Sequence, residues 1–175
     1  LNTLLSNEAL EANRIKRDTP VMVVMGNPPY SGESANQGAW IGELMEAYKS
    51  LYELIKEKDY YIVTTLTDGA VYEMPFDKNR IVAPCGNIHW RQCSKACTKD
   101  IWEESEVPDD VCPHCKAPLT GNTIKAETYI EEGYLPRWKD YMKWQTGTIN
   151  RSLVILELGV GFEYPSVLRF PDEKM

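Results

Sequence analysis

Five cysteines, at 85, 93, 97, 112 and 115, fall inside one 31-residue window of a 175-residue chain. Cys93 and Cys97 form one close pair, Cys112 and Cys115 a second, and 14 residues separate the pairs. Two knuckles of this kind bring four thiolates together, and tetrahedral Zn²⁺ takes such a set at about 2.3 Å per bond. Four thiolates complete the shell, so the expected metal is structural, with no open position for chemistry. A disulfide scaffold would spread its cysteines through the chain and use an even number. Cys85 is left over, in Ala83-Pro84-Cys85-Gly86-Asn87. A lone cysteine reads either as a small buried hydrophobe or as a reactive thiol placed just before the metal insert. His89, ahead of the four cysteines, and His114, between Cys112 and Cys115, could stand in for a thiol.

The elements that must position these groups follow from hydrophobic period. Residues 1–20 suggest a short amphipathic helix, with Leu5, Leu10 and Ile15 separated by polar residues. Val21-Met22-Val23-Val24-Met25 is an apolar run of strand length that stops at Gly26-Asn27-Pro28-Pro29-Tyr30. From Trp40 to Lys58 the period becomes helical, with Ile41, Leu44, Met45, Tyr48, Leu51, Tyr52 and Ile55 on one face. Tyr60 to Thr65 is β-branched and aromatic, hence a strand, and Thr67-Asp68-Gly69 is the loop at its carboxyl end. Residues 81–120 are loop-rich and carry the cysteines, 123–145 hold helical segments around Gly133 and Pro136, and Leu153 to Leu158 is a last strand. This order predicts an α/β fold: a partial Rossmann-like, mostly parallel sheet with a zinc-ribbon insert at 85–120. Ligands of such sheets sit outside the carboxyl ends of the strands. That makes 26–32, 64–69 and 159–165 the candidate site loops.

Composition narrows the function classes. A 43% hydrophobic chain can build a core, and no run approaches the ~20 apolar residues of a membrane span. A formal charge of −7 argues against a broad phosphate-binding surface. The expectation is a cytoplasmic protein with no membrane partner.

A helix at 43–57 leads into Tyr61-Ile62-Val63-Thr64-Thr65, then come Asp68-Gly69, Cys85-Gly86 ahead of the four cysteines, and Leu156-Glu157-Leu158-Gly159-Val160-Gly161 with Pro165. In these stretches, over about residues 43–175, the chain resembles the sirtuin family of NAD-dependent protein deacylases, in its divergent bacterial branch. The resemblance implies NAD bound by a Rossmann-like domain, with Thr64, Thr65, Asp68, Gly159, Val160 and Gly161 around it. It also implies a structural zinc held by Cys93, Cys97, Cys112 and Cys115, and an acylated or ADP-ribosylatable protein substrate entering the cleft between the two parts. Cys85 and Asp68 are then the candidate catalytic residues. Cys85 stands where that family places its basic histidine, and Leu66 where it places an asparagine. No Gly-x-Gly occurs before residue 159, whereas the family opens on a Gly-Ala-Gly loop. The chain therefore reads as a deacylase or ADP-ribosyltransferase relative that is truncated or catalytically degenerate.

Residues 1–42 resemble something else, an adenine-specific DNA methyltransferase. There Asn27 and the Pro28 carbonyl would accept hydrogen bonds from an extruded adenine and Tyr30 would stack on it, with Pro29 part of the same adenine-binding segment. DNA is a partner only under this alternative, which supplies no methyl-donor site. A non-enzymatic, zinc-stabilised interaction module is the third reading. The domain expectation is a methyltransferase-like segment at 1–42 followed by the sirtuin-like part at 43–175.

Overall fold

A computed structural model describes residue 10 and residues 18–26 and 37–160 of the chain. The Asn27-Pro28-Pro29-Tyr30 segment and Gly161 lie outside these residues, as does most of the helix expected over 1–20, of which Leu10 and Asp18 are helical.

The α/β architecture is as expected. Strand β1 (Val21–Met25) is followed by helix α1 (Gln37–Ile55), β2 (Tyr60–Thr64), β3 (Ile81–Val82), β4 (Gly86–Cys93), β5 (Ile101–Glu103), β6 (Leu119–Thr123), α2 (Leu135–Gly147) and β7 (Val154–Leu158). Four strands form a wholly parallel sheet in the order β3-β2-β1-β7, with β1 paired to β2 on one side and β7 on the other. The remaining three form an antiparallel sheet, β5-β4-β6, which carries the cysteines.

Alternation along β1 and β2 splits the core into two layers, because successive side chains of a strand point to opposite faces. Val23, Met25, Tyr60 and Ile62 face α1 and meet Tyr48, Leu51 and Ile55. Met22, Val24, Tyr61 and Val63 face the other way and meet Tyr141 of α2, with Trp138 and Trp144 beside it. Both faces of β1 and β2 are thus covered, which is why their sequences are apolar without a polar stripe. Each fully buried Val, Ile or Leu contributes about 1.5–3 kcal/mol of apolar transfer. Tyr141 donates its hydroxyl to Met22 Sδ at 3.0 Å, and Trp144 donates its indole N–H to Asp59 at 2.9 Å, which fixes α2 against the sheet.

The boundary near residue 42 falls inside α1, and β1, from the amino-terminal segment, is hydrogen-bonded between two strands of the later part. Strands β4 and β6 occupy segments whose sequence pattern reads as loop, and α2 is preceded by a single 3-10 turn, Glu131–Gly133. No described helix is long and apolar enough to cross a membrane.

Candidate functional site

The two cysteine knuckles converge. The Sγ atoms of Cys93, Cys97, Cys112 and Cys115 all lie within 4.8 Å of one another. Cys93 and Cys115 approach to 3.5 Å, as do Cys97 and Cys112. A zinc tetrahedron with bonds of about 2.3 Å needs edges of about 3.8 Å, so the four thiols could form a zinc site.

Local backbone makes this convergence possible. Cys93 ends β4, and its carbonyl accepts the Ala96 N–H at 2.9 Å, turning the chain so that Cys97 returns. In the second knuckle Lys116 donates its N–H to the Cys112 carbonyl at 3.0 Å, and Cys112 donates to Ala117 at 2.8 Å. Cys93 and Cys112 are buried beneath Val107, Ala117 and Leu119, while Cys97 and Cys115 face solvent. The backbone N–H groups of Cys97 and Lys95 point at the Cys93 sulfur and lower its pKa to about 6, against the opposing effect of burial. The Cys97 thiol is pushed up, chiefly by its contact with the Cys115 sulfur.

The carboxyl ends of the parallel strands meet the base of the cysteine sheet. Thr64 ends β2 fully buried, its Oγ1 accepting the Leu66 N–H at 3.0 Å, and Thr65 donates its N–H to the Met25 carbonyl at 2.9 Å. Both threonines therefore shape the loop after β2. Asp68, exposed on that loop, accepts the Ala70 N–H at 2.9 Å. The Thr67 carbonyl accepts the Ile88 N–H at 2.9 Å, which ties the loop to β4. Cys85 lies between β3 and β4 at 1% exposure, its carbonyl accepting the Ile124 N–H at 2.9 Å. Gly159 and Val160 follow β7, next to Gly26 at the end of β1. Asp68 is thus brought beside residues 87–89, while Gly159 and Val160 sit at the β1–β7 junction.

Between the loop after β2 and the cysteine sheet opens a cleft of about 850 Å³. Gly69 and Tyr72 line it from the loop after β2, and His89, Trp90, Trp102 and Glu104 from the cysteine sheet and the turn after β5, with Glu132 and Arg137 also in the lining. Burial pushes the Tyr72 hydroxyl far up, so it stays protonated. Among the described residues, five lining glutamates against Lys78 and Arg137 make the cleft acidic. Spacing alone did not single out its lining residues, because they come from five separate segments. The one signal was His89, a histidine close to Cys85-Gly86 that does not align with the sirtuin base.

No family model matches the chain. Among curated proteins it is similar to a protein ADP-ribosyltransferase of Staphylococcus aureus, with 24% identity over 151 aligned residues, covering 74% of this chain and 47% of that protein. It is also similar to a probable bifunctional ADP-ribose hydrolase/ADP-ribosyltransferase of Fusarium oxysporum f. sp. cubense, with 22% identity over 142 residues, covering 67% of this chain and 24% of that protein. The chain spans about half the length of the first relative and about a quarter of the second.

Proposed function

We propose that the chain is the NAD-binding, zinc-bearing part of an ADP-ribosyltransferase built on the sirtuin plan. One observation carries this reading: the cleft opens where the four-cysteine sheet meets the loop at the carboxyl end of β2 in a parallel sheet. Two relatives, each named for ADP-ribosyl transfer, support transfer over deacylation.

The donor sets fit a division of labour. The acidic cleft repels a pyrophosphate and favours a neutral or cationic acceptor. The dinucleotide then belongs at the junction of β1 and β7, where the strand order reverses and the loop ends meet at two glycines, Gly26 and Gly159. Asp68, exposed and next in sequence to the cleft-lining Gly69, has a carboxylate suited to ribose hydroxyls. Thr64 and Thr65 hold the Asp68 loop in place. When bound, NAD would supply an activated glycosidic carbon with nicotinamide as leaving group. Zinc, held by Cys93, Cys97, Cys112 and Cys115, would lock the second wall of the cleft and take no part in transfer. A cytoplasmic setting suits four reduced thiols.

Calorimetric titration of the zinc-loaded protein with NAD, and in parallel with S-adenosylmethionine, tests this. Heat with NAD and none with S-adenosylmethionine supports the reading. Binding of S-adenosylmethionine alone would favour the DNA methyltransferase alternative, and binding of neither leaves an interaction module.

A further inference from the structure

Strand β4 loses its register with β6 between Asn87 and Arg91. Asn87 pairs with Asn122 and Arg91 with Gly121, so Ile88, His89 and Trp90 have no partner residues on β6. A bulge of this kind re-aims side chains and recurs next to active sites. Here it turns His89 and Trp90 into the cleft wall.

The bulge is held from three sides. Asn87, 3% exposed, accepts the His89 N–H on its Oδ1 at 2.9 Å. The imidazole lies against Gly69, where a Cβ would stand 2.7 Å from His89 Cδ2. His89 Nδ1 faces Glu104 Oε2 at 3.7 Å, and Glu104 Oε1 accepts from the Arg91 guanidinium at 2.5 Å. Arg91 in turn lies 3.4 Å from Asp110. Glu104 is thereby fixed by one neighbour and directed at the imidazole by its second oxygen. Catalytic hydrogen bonds are often this long before substrate binds and tighten afterwards.

We propose that His89 is the general base of the transfer, with Glu104 as its positioning residue; this rests on the ADP-ribosyltransferase reading above. Cys85 is fully buried and does not line the cleft, whereas His89 offers Nε2, the ring nitrogen turned away from Glu104. The acceptor's X–H loses its proton to Nε2 as X bonds to C1′ of the nicotinamide ribose. The C1′–N bond breaks, and nicotinamide leaves neutral with that electron pair. His89 then releases the proton to water. NAD and acceptor thus give ADP-ribosylated acceptor, nicotinamide and one proton.

The chain has two histidines, so ¹⁵N-histidine spectra of the zinc-loaded protein give two ring sets, assigned with His89→Gln. Addition of NAD is expected to shift the His89 set, with His114, paired to Asp100 outside the cleft lining, as reference. Nicotinamide release with water as acceptor is expected to fall about 100-fold in His89→Gln, in line with the usual worth of a general base. Added imidazole should restore at least tenfold in His89→Gly, which no structural role of His89 would allow. Glu104→Gln should lower kcat several-fold with KM unchanged. Release at the wild-type rate in His89→Gln, or NAD that binds the wild type without being cleaved, would overturn the proposal and leave NAD binding standing. Absence of NAD binding to the wild type would overturn both.

Discussion

Gly26 and Gly159 meet backbone to backbone at the carboxyl ends of β1 and β7. A Cβ on Gly26 would stand 2.7 Å from the Gly159 carbonyl oxygen and 2.8 Å from Val160 Cα. Gly26 also donates its N–H to the Leu158 carbonyl at 2.9 Å, one hydrogen bond past the end of the strand pairing. The two loops can part only by breaking that bond. Overpacking against backbone costs about 1–3 kcal/mol, because there is no flexible side chain to give way. Gly26→Ala is therefore expected to lower Tm by several degrees and to weaken NAD binding. Calorimetric melting of the two proteins checks the first part, and an unchanged Tm would count against the contact.

The cysteine cluster predicts one zinc per chain after metal-replete expression. Binding of zinc to four thiolates is worth about 10 kcal/mol or more in small domains, so metal and local fold are lost together. A chelator should abolish hydrogen-exchange protection across 86–123 while the amides of β1 and β2 keep theirs, since those strands draw their stability from the two helical layers. Cys112→Ser is expected to reproduce the chelated state without chelator. Full zinc content in that variant would count against the four-thiol shell.

A buried amide pair links the cysteine sheet to the segment before α2. Gln92 and Asn122 are both fully buried. Asn122 Nδ2 donates to Gln92 Oε1 at 2.6 Å and to the Ile130 carbonyl at 2.8 Å, and Ile130 donates its N–H to Gln92 Oε1 at 3.0 Å. Gln92→Ala strands the Ile130 N–H and one Asn122 donor, each costing about 1–3 kcal/mol. Urea denaturation should show a loss of at least 2 kcal/mol with m unchanged; a smaller loss would mean that water replaces the amide.

What was legible in the sequence is what depends on local period. Val21–Met25, Gln37–Ile55 and Tyr60–Thr64 are strands and a helix because each buries a regular set of side chains, and the edge strand Val154–Leu158 packs Ile155 and Leu156 against the two layers. Close cysteine pairs were legible for a similar reason, since a knuckle is a local turn. Strand β4 was not, because its bulge breaks the alternation a reader would look for: its ends are buried and Ile88 and His89 are exposed. Strand β6, Leu-Thr-Gly-Asn-Thr, has little intrinsic strand preference and is held in place by β4. The cleft could not be read for a related reason: Gly69, His89, Glu104 and Glu132 become neighbours only when the two sheets meet.

Gly69 tests the link between that cleft and His89. Its φ of +79° is one that side chains rarely adopt, so Gly69→Ala carries a strain of about 1–2 kcal/mol in the folded state. The added methyl would meet His89 Cδ2 at 2.7 Å and Asn87 Oδ1 at 2.9 Å. The imidazole is the far end of a side chain that is more than half exposed, so it swings aside at little further cost. Asn87 is buried, so its amide can give by only a few tenths of an ångström. The expected result is a drop in Tm of a few degrees, full zinc content, a displaced His89 ring signal and nicotinamide release at least tenfold down. Misplacing a catalytic group by about 1 Å can cost 100-fold, so a small movement is enough. Gly69→Ala with an unmoved His89 signal and a wild-type rate would mean that the loop after β2 yields instead of the imidazole, and would separate Gly69 from the chemistry of the cleft.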